Sequence, residues 1–162
     1  MAPPSPAWIC AAAAHAVFAA VSLRLVLVDL RRRRLPNRTV GWGSGAVLAL
    51  LLAAAWAGGS WQPLTTAVVA ALAYGAVFLA LWLLSPGALG AGDVKLAPLV
   101  GLVAGWSGVS TAGVWVPLVL ALLSGIAGLV ARGRGRRSLA FGPVMLAACW
   151  AGVGLAGVGL TG

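Results

Sequence analysis

"LTTAVVAALAYGAVFLALWLL", residues 64–84, runs for 21 residues without a charge. A helix needs about 20 mostly apolar residues to cross the hydrocarbon core of a bilayer. This stretch therefore reads as one complete crossing. "SPGALGAGDVKL", residues 85–96, follows it. Its proline and glycines break the helix. The chain then presents Asp93, one of its two acidic residues, and Lys95, its only lysine. An apolar crossing has ended, and a carboxylate stands behind two glycines at the start of the next segment.

The composition of the whole chain repeats that reading. Of 162 residues, 62% are hydrophobic and 8% charged. Water-soluble domains carry about 25% charged residues, so this chain cannot cover a soluble surface. The fold expected is all-α: one polytopic membrane domain spanning 1–162, a bundle of about six transmembrane helices. The apolar runs place them at about 8–28, 39–57, 64–84, 93–109, 112–131 and 139–160. The boundary between the fourth and fifth is the weakest, because "GWSGVSTAGVW" carries little turn signal.

The charges support the count. Arg31 to Arg34 and Arg38 follow the first run, Lys95 opens the fourth, and Arg132, Arg134, Arg136 and Arg137 follow the fifth. Arg24, near the end of the first run, can snorkel to the same side. With six crossings, all eleven basic residues fall on one face. The positive-inside rule makes that face cytoplasmic and puts both termini outside. The net charge of +9 follows from these loops. It does not form a domain able to track a phosphate backbone, so nucleic acid is not an expected partner.

Trp8, Trp56, Trp61, Trp106 and Trp115 fall near the outer ends, and Trp42 and Trp82 near the inner ends. That distribution reads as an interfacial belt. The glycines within the runs allow close helix approach. Cys10 and Cys149 lie in apolar surroundings with no CxxC pattern, and read as small buried apolar residues. "MAPPSPAW" has no basic region of the signal-peptide kind, so the first run reads as a retained crossing.

Asp29 ends the first run, and Asp93 begins the fourth. The chain between them crosses out and back, so topology returns the only two carboxylates to one face. A carboxylate at a membrane boundary is costly without a partner or a task. Each has a plain structural reading. Asp93 can be a helix N-cap entered through glycine, and Asp29 can balance Arg31 to Arg34. Yet Asp29 sits at a helix C-terminal end, where the dipole opposes a negative charge.

Aspartyl proteolysis is the chemistry that uses such a pair. Two close carboxyls share one proton. The ionised member takes a proton from water, and the protonated member polarises the peptide carbonyl. No metal or cofactor enters. Glutamate is absent, the one histidine, His15, lies mid-run, and no serine has a histidine or lysine at a recognisable spacing. Two other readings remain: a proton-coupled carrier, in which isolated acids mark an ion path, and an inactive homologue serving as an assembly partner. Both aspartates fall at run ends rather than at the midplane, and the two halves show no repeat.

"GAGDVKL", residues 90–96, resembles the GxGDxK stretch of the type IV prepilin peptidases and preflagellin peptidases. "DLRRRRLPN", residues 29–37, is similar to the family's stretch around its first aspartate, with Asp29, Pro36 and Asn37 in place. "AFGPVM" is similar to the FGP stretch opening the last crossing, here Phe141, Gly142 and Pro143. Three motifs in order cover nearly the whole chain.

The resemblance implies a membrane aspartyl endopeptidase of the cytoplasmic membrane. It would remove basic leaders from prepilin-like precursors at the cytoplasmic face. It implies Asp29 and Asp93 as the catalytic pair, with Gly90, Gly92, Lys95, Pro36, Asn37, Phe141, Gly142 and Pro143 as supporting positions. Full-length bacterial relatives add a region with paired CxxC motifs, linked to zinc and N-methylation. Those motifs do not occur here, so methyltransferase activity is not expected. The basic leader and the basic face repel, so recognition is expected through the substrate's apolar N-terminal helix. Membrane lipid headgroups are the expected contact of Arg31 to Arg34. Whether Asp29 or Asp93 holds the shared proton stays open: the helix dipole favours ionised Asp93, and the arginine run favours ionised Asp29.

Overall fold

The computed structural model describes residues 5–32, 37–84, 90–108, 119, 122–123 and 141–159. Five helices account for nearly all of them, and the described residues contain no strand. They are α1 (Pro6–Arg32), α2 (Asn37–Gly58), α3 (Gln62–Leu84), α4 (Ala91–Trp106) and α5 (Phe141–Gly159). Most of the expected fifth crossing, 112–131, lies outside the described residues; Val119, Leu122 and Leu123 within it are helical.

Local chemistry sets the helix ends. The Trp8 N–H donates to Ser5 Oγ at 3.2 Å, an N-cap bond, and Pro6 supplies a ready-made helical φ in the first turn. This starts α1 two residues before the expected boundary. Gly59, at φ +64°, stops α2 in the left-handed conformation that favours glycine. The weak turn signal after Trp106 proves to be a real stop: Gly108 adopts φ +110° and its N–H donates to the Gly105 carbonyl. So α4 ends at Trp106, not at 109 as the apolar run suggested.

Among the described residues, three helices are long and apolar enough to cross a membrane: residues 6–29 within α1, all of α2 and all of α3. At 16 residues, α4 rises only about 24 Å, less than the hydrocarbon thickness of about 30 Å. The expected six crossings are therefore represented by three full-length spans, the short α4, and α5. Many large apolar side chains face outward on the long helices, among them Leu23, Leu27, Val69, Leu72 and Leu83. Such a surface suits lipid and not water. This is a membrane protein.

The helices pack as two antiparallel pairs. In α1–α2, Gly43 meets Val21 and Gly58 meets Ala7. In α3–α4, Gly75 meets Pro98, Gly101 meets Ala70 and Ala71, and Gly105 meets Ala67. α4 joins the pairs by packing also on α2 and α5, and its residues 99–105 are buried without interruption. α5 reaches α1 through Trp150, which stacks on Phe18 at a centroid distance of 5.3 Å. It reaches α4 through Cys149, whose thiol faces the Val100 carbonyl at 3.8 Å. Cys10 and Cys149 are free thiols.

His15 packs rather than standing alone: one ring nitrogen donates to the Ala11 carbonyl at 2.8 Å, and the other faces Ser107 Oγ at 3.5 Å. Trp8, Trp42, Trp56, Trp61 and Trp82 are exposed on the helix surfaces. Trp106 instead packs against the core, and Trp115 lies outside the described residues.

Candidate active site

Asp29 and Asp93 are both buried, each 8% exposed. Asp29 lies three residues before the end of α1, on the helix face that also buries Ala14, Phe18, Ser22 and Leu25. These positions recur every three or four residues, as one helical face requires.

Asp93 sits in the first turn of α4, at the helix end and outside the three spanning helices. Its position corrects the N-cap reading. Gly90 is the N-cap, with φ −73° and ψ 140°, and Asp93 follows three residues later. From there the carboxylate folds back and accepts the Gly90 backbone N–H. This is the second half of a capping box, in which the third helical residue satisfies the cap's own N–H. A Cβ on residue 90 would stand 3.1 Å from Asp93 Oδ2, so glycine makes room for the returning carboxylate. Gly92 lies in the same turn, partly buried.

The two carboxyls feel each other. Asp93 is pushed up from the ordinary aspartate value to about 6, first by burial and then by the negative charge of Asp29, against the lowering effect of the Gly90 N–H. Burial disfavours a carboxylate, and a like charge disfavours it further. The helix-dipole argument for an ionised Asp93 therefore loses to desolvation. Asp93 therefore keeps its proton to a higher pH than an ordinary aspartate does.

Two further motif residues meet across the pair of helices. Lys95 Nζ donates to Asn37 Oδ1 at 3.0 Å, tying the start of α4 to the first residue of α2. Sequence reasoning placed both in motifs without foreseeing this bond, because 58 residues separate them. Pro36 lies outside the described residues. Phe141, Gly142 and Pro143 form the first turn of α5, about two turns before that helix meets Val100 and Phe18.

Sequence reasoning also missed two supporting features. Gly101 and Gly105, a GxxxG pair, seat α4 against α3 so closely that a Cβ at residue 101 would fall 2.6 Å from the Ala70 carbonyl oxygen. That motif was legible. The Ser22 hydroxyl, two turns from Asp29 on the same buried face, has no hydrogen-bond partner among the described residues. No sequence signal marks it.

The arrangement is a pair of interacting carboxyls at one end of the helix array, each on a different antiparallel pair. It can hold one proton between two acids. Residues 16–132 match the sequence model of the type IV leader peptidase family. The chain belongs to that family, and is thereby a membrane protease. The match takes in Asp29, Pro36, Asn37 and the 90–96 stretch, and stops before Phe141. No curated protein and no solved structure matches the chain.

Proposed function

We propose that this protein is an aspartic endopeptidase that removes the leader from type IV prepilin-like precursors. The observation that carries the reading is the interaction of the chain's only two acidic residues, both buried, 64 positions apart in sequence. Asp29, ionised, accepts a proton from a water molecule held between the carboxyls. The hydroxide so formed attacks the scissile carbonyl, while protonated Asp93 donates a hydrogen bond to its oxygen. On collapse of the tetrahedral species, the proton taken by Asp29 passes to the leaving amine, and the pair again shares one proton. No metal takes part in these steps.

The same reading puts the site at the cytoplasmic face of the inner membrane, in a multi-pass protein with six crossings and both termini outside. It is supported by the arginines that flank Asp29 and by Lys95 beside Asp93. The substrate is a precursor with a short basic leader followed by an apolar helix. Lys95, two residues after Asp93, ties the start of α4 to Asn37 at the start of α2.

Leader cleavage in membranes tests this. Wild type, Asp29→Asn and Asp93→Asn are co-expressed with prepilin-like precursors encoded in the same genome, and the precursor's size shift is followed. Cleavage by wild type alone is expected. Cleavage that survives either substitution would remove the two-aspartate mechanism. Stable protein that cuts no precursor would favour an assembly role instead.

A further inference from the structure

A groove of about 470 Å³ opens between α1 and α2, and neither aspartate lines it. That size lies within the usual range for a ligand site, about 300–1,000 Å³. On α1 its wall is Val17, Val21 and Arg24, and on α2 it is Arg38, Thr39, Trp42 and Ala46. The spacing puts each set on one face of its helix. Gly43 also lines it, where an added Cβ would fall 2.9 Å from the Val21 γ-carbons.

The groove has two chemically distinct ends. Arg24 lies five residues before Asp29, and Arg38 lies in the first turn of α2, so both guanidinium-bearing residues stand toward the Asp29 end of the antiparallel pair. Both are exposed. Val17 and Ala46 continue the groove toward the middle of the two spans. The chain's only carboxylates, Asp29 and Asp93, are buried and form no part of these walls. An occupant must therefore bring its own negative charge, and an apolar tail on one side of it.

We propose that this groove binds an anionic phospholipid, with the phosphate between Arg24 and Arg38 and the first acyl carbons along Val17, Val21 and Ala46. Arginine suits a phosphate because its planar fork of donors matches the phosphate oxygens. Trp42, 79% exposed, belongs at headgroup level, where its amphipathic ring is at home. A basic leader peptide is repelled here, and a nucleic acid has no apolar part to fill the deep end. The inference stands apart from the catalytic reading, since neither aspartate takes part.

The test is tryptophan quenching of the full chain in phosphatidylcholine bilayers, titrated with acyl-brominated phosphatidylglycerol or acyl-brominated phosphatidylcholine. Wild type is expected to prefer phosphatidylglycerol by about 30-fold, from two arginine contacts of the usual strength at an anionic surface. R24Q/R38Q should abolish the preference, and R24K/R38K should keep most of it. W42F should remove the part of the quenching specific to phosphatidylglycerol. Equal quenching of wild type by both lipids overturns the proposal, as does a preference intact in R24Q/R38Q. If R24Q/R38Q fails to fold, W42F decides: an unchanged phosphatidylglycerol-specific signal overturns the proposal.

Discussion

The α3–α4 pair and the α1–α2 pair each carry or support one aspartate, yet they are built differently. Between α3 and α4 the contact is backbone on backbone. Gly101 and Gly105 meet Ala67, Ala70 and Ala71, with no space for a single added carbon. Between α1 and α2 the close approach rests on Gly43 against the Val21 side chain, and beside it a groove stays open. α4 is buried along its inner length, whereas α1 and α2 each leave much of their surface outward. The difference teaches how the pair of carboxyls is held. Asp93 rides on a helix fixed by dispersion contacts along its length. Asp29 rides on a helix that faces the bilayer, and it is brought to Asp93 through α2 and α5.

The largest expected effect treats the two helices alike. Asp29→Asn and Asp93→Asn should each lower leader cleavage by roughly 10²–10⁴-fold, the usual contribution of a positioned acid or base. Rate measurements in membranes at matched expression check this. A loss confined to one aspartate would break the symmetry of the proposed mechanism.

The next effect separates the pairs. Gly101→Ala and Gly105→Ala should destabilise by about 1–3 kcal/mol, since the added carbon meets backbone that cannot yield. Gly43→Ala should cost less, because what it meets is the Val21 side chain. Gly41→Ala and Gly45→Ala have open space around the new carbon. They should be neutral or stabilising by up to about 1 kcal/mol through helix propensity. Thermal unfolding in micelles ranks all five; equal losses at positions 41 and 101 would erase the contrast.

Protonation sharpens it further. The folded value of Asp93, about 6, lies above its ordinary value of 3.8. The native state therefore holds this proton more tightly than the unfolded chain. Its contribution to stability is fully present below pH 3.8 and is lost as pH rises through about 6. Above that, ionised Asp93 destabilises the fold. Asp93→Asn should accordingly melt higher than wild type at pH 8 and level with it at pH 4. A lower melting temperature at pH 8 would show that the buried charge is well compensated.

The smallest effects lie at single polar groups. A double-mutant cycle on Asn37→Ala and Lys95→Met should give a coupling of about 0.5–1.5 kcal/mol, as for an ordinary hydrogen bond. Ser22→Ala removes a buried hydroxyl without a described partner and should raise stability by up to about 1 kcal/mol. A marked fall in cleavage with Ser22→Ala would give that hydroxyl a task at the site.

Much of this was written in local pattern. Long apolar runs set α1, α2 and α3, because every backbone polar group in a bilayer must be satisfied within its own helix. Ser5 with Pro6, and Gly59, fixed ends that an apolar ruler missed by a residue or two. The pairing of Asp29 with Asp93 was legible because two intervening crossings return the chain to its starting face. The length of α4 was not, because its apolar run continues past Trp106 and only the φ of Gly108 ends the helix there.

The sequence by itself determined a helical membrane protein with one pair of acids, because hydropathy and charge count act residue by residue. The tertiary structure alone decided which helix became the buried centre, that Lys95 would reach Asn37, and that the Asp93 carboxyl would be pushed up to about 6. Those outcomes depend on which surfaces exclude solvent. Desolvation is a property of packed neighbours, and no single stretch of chain carries it.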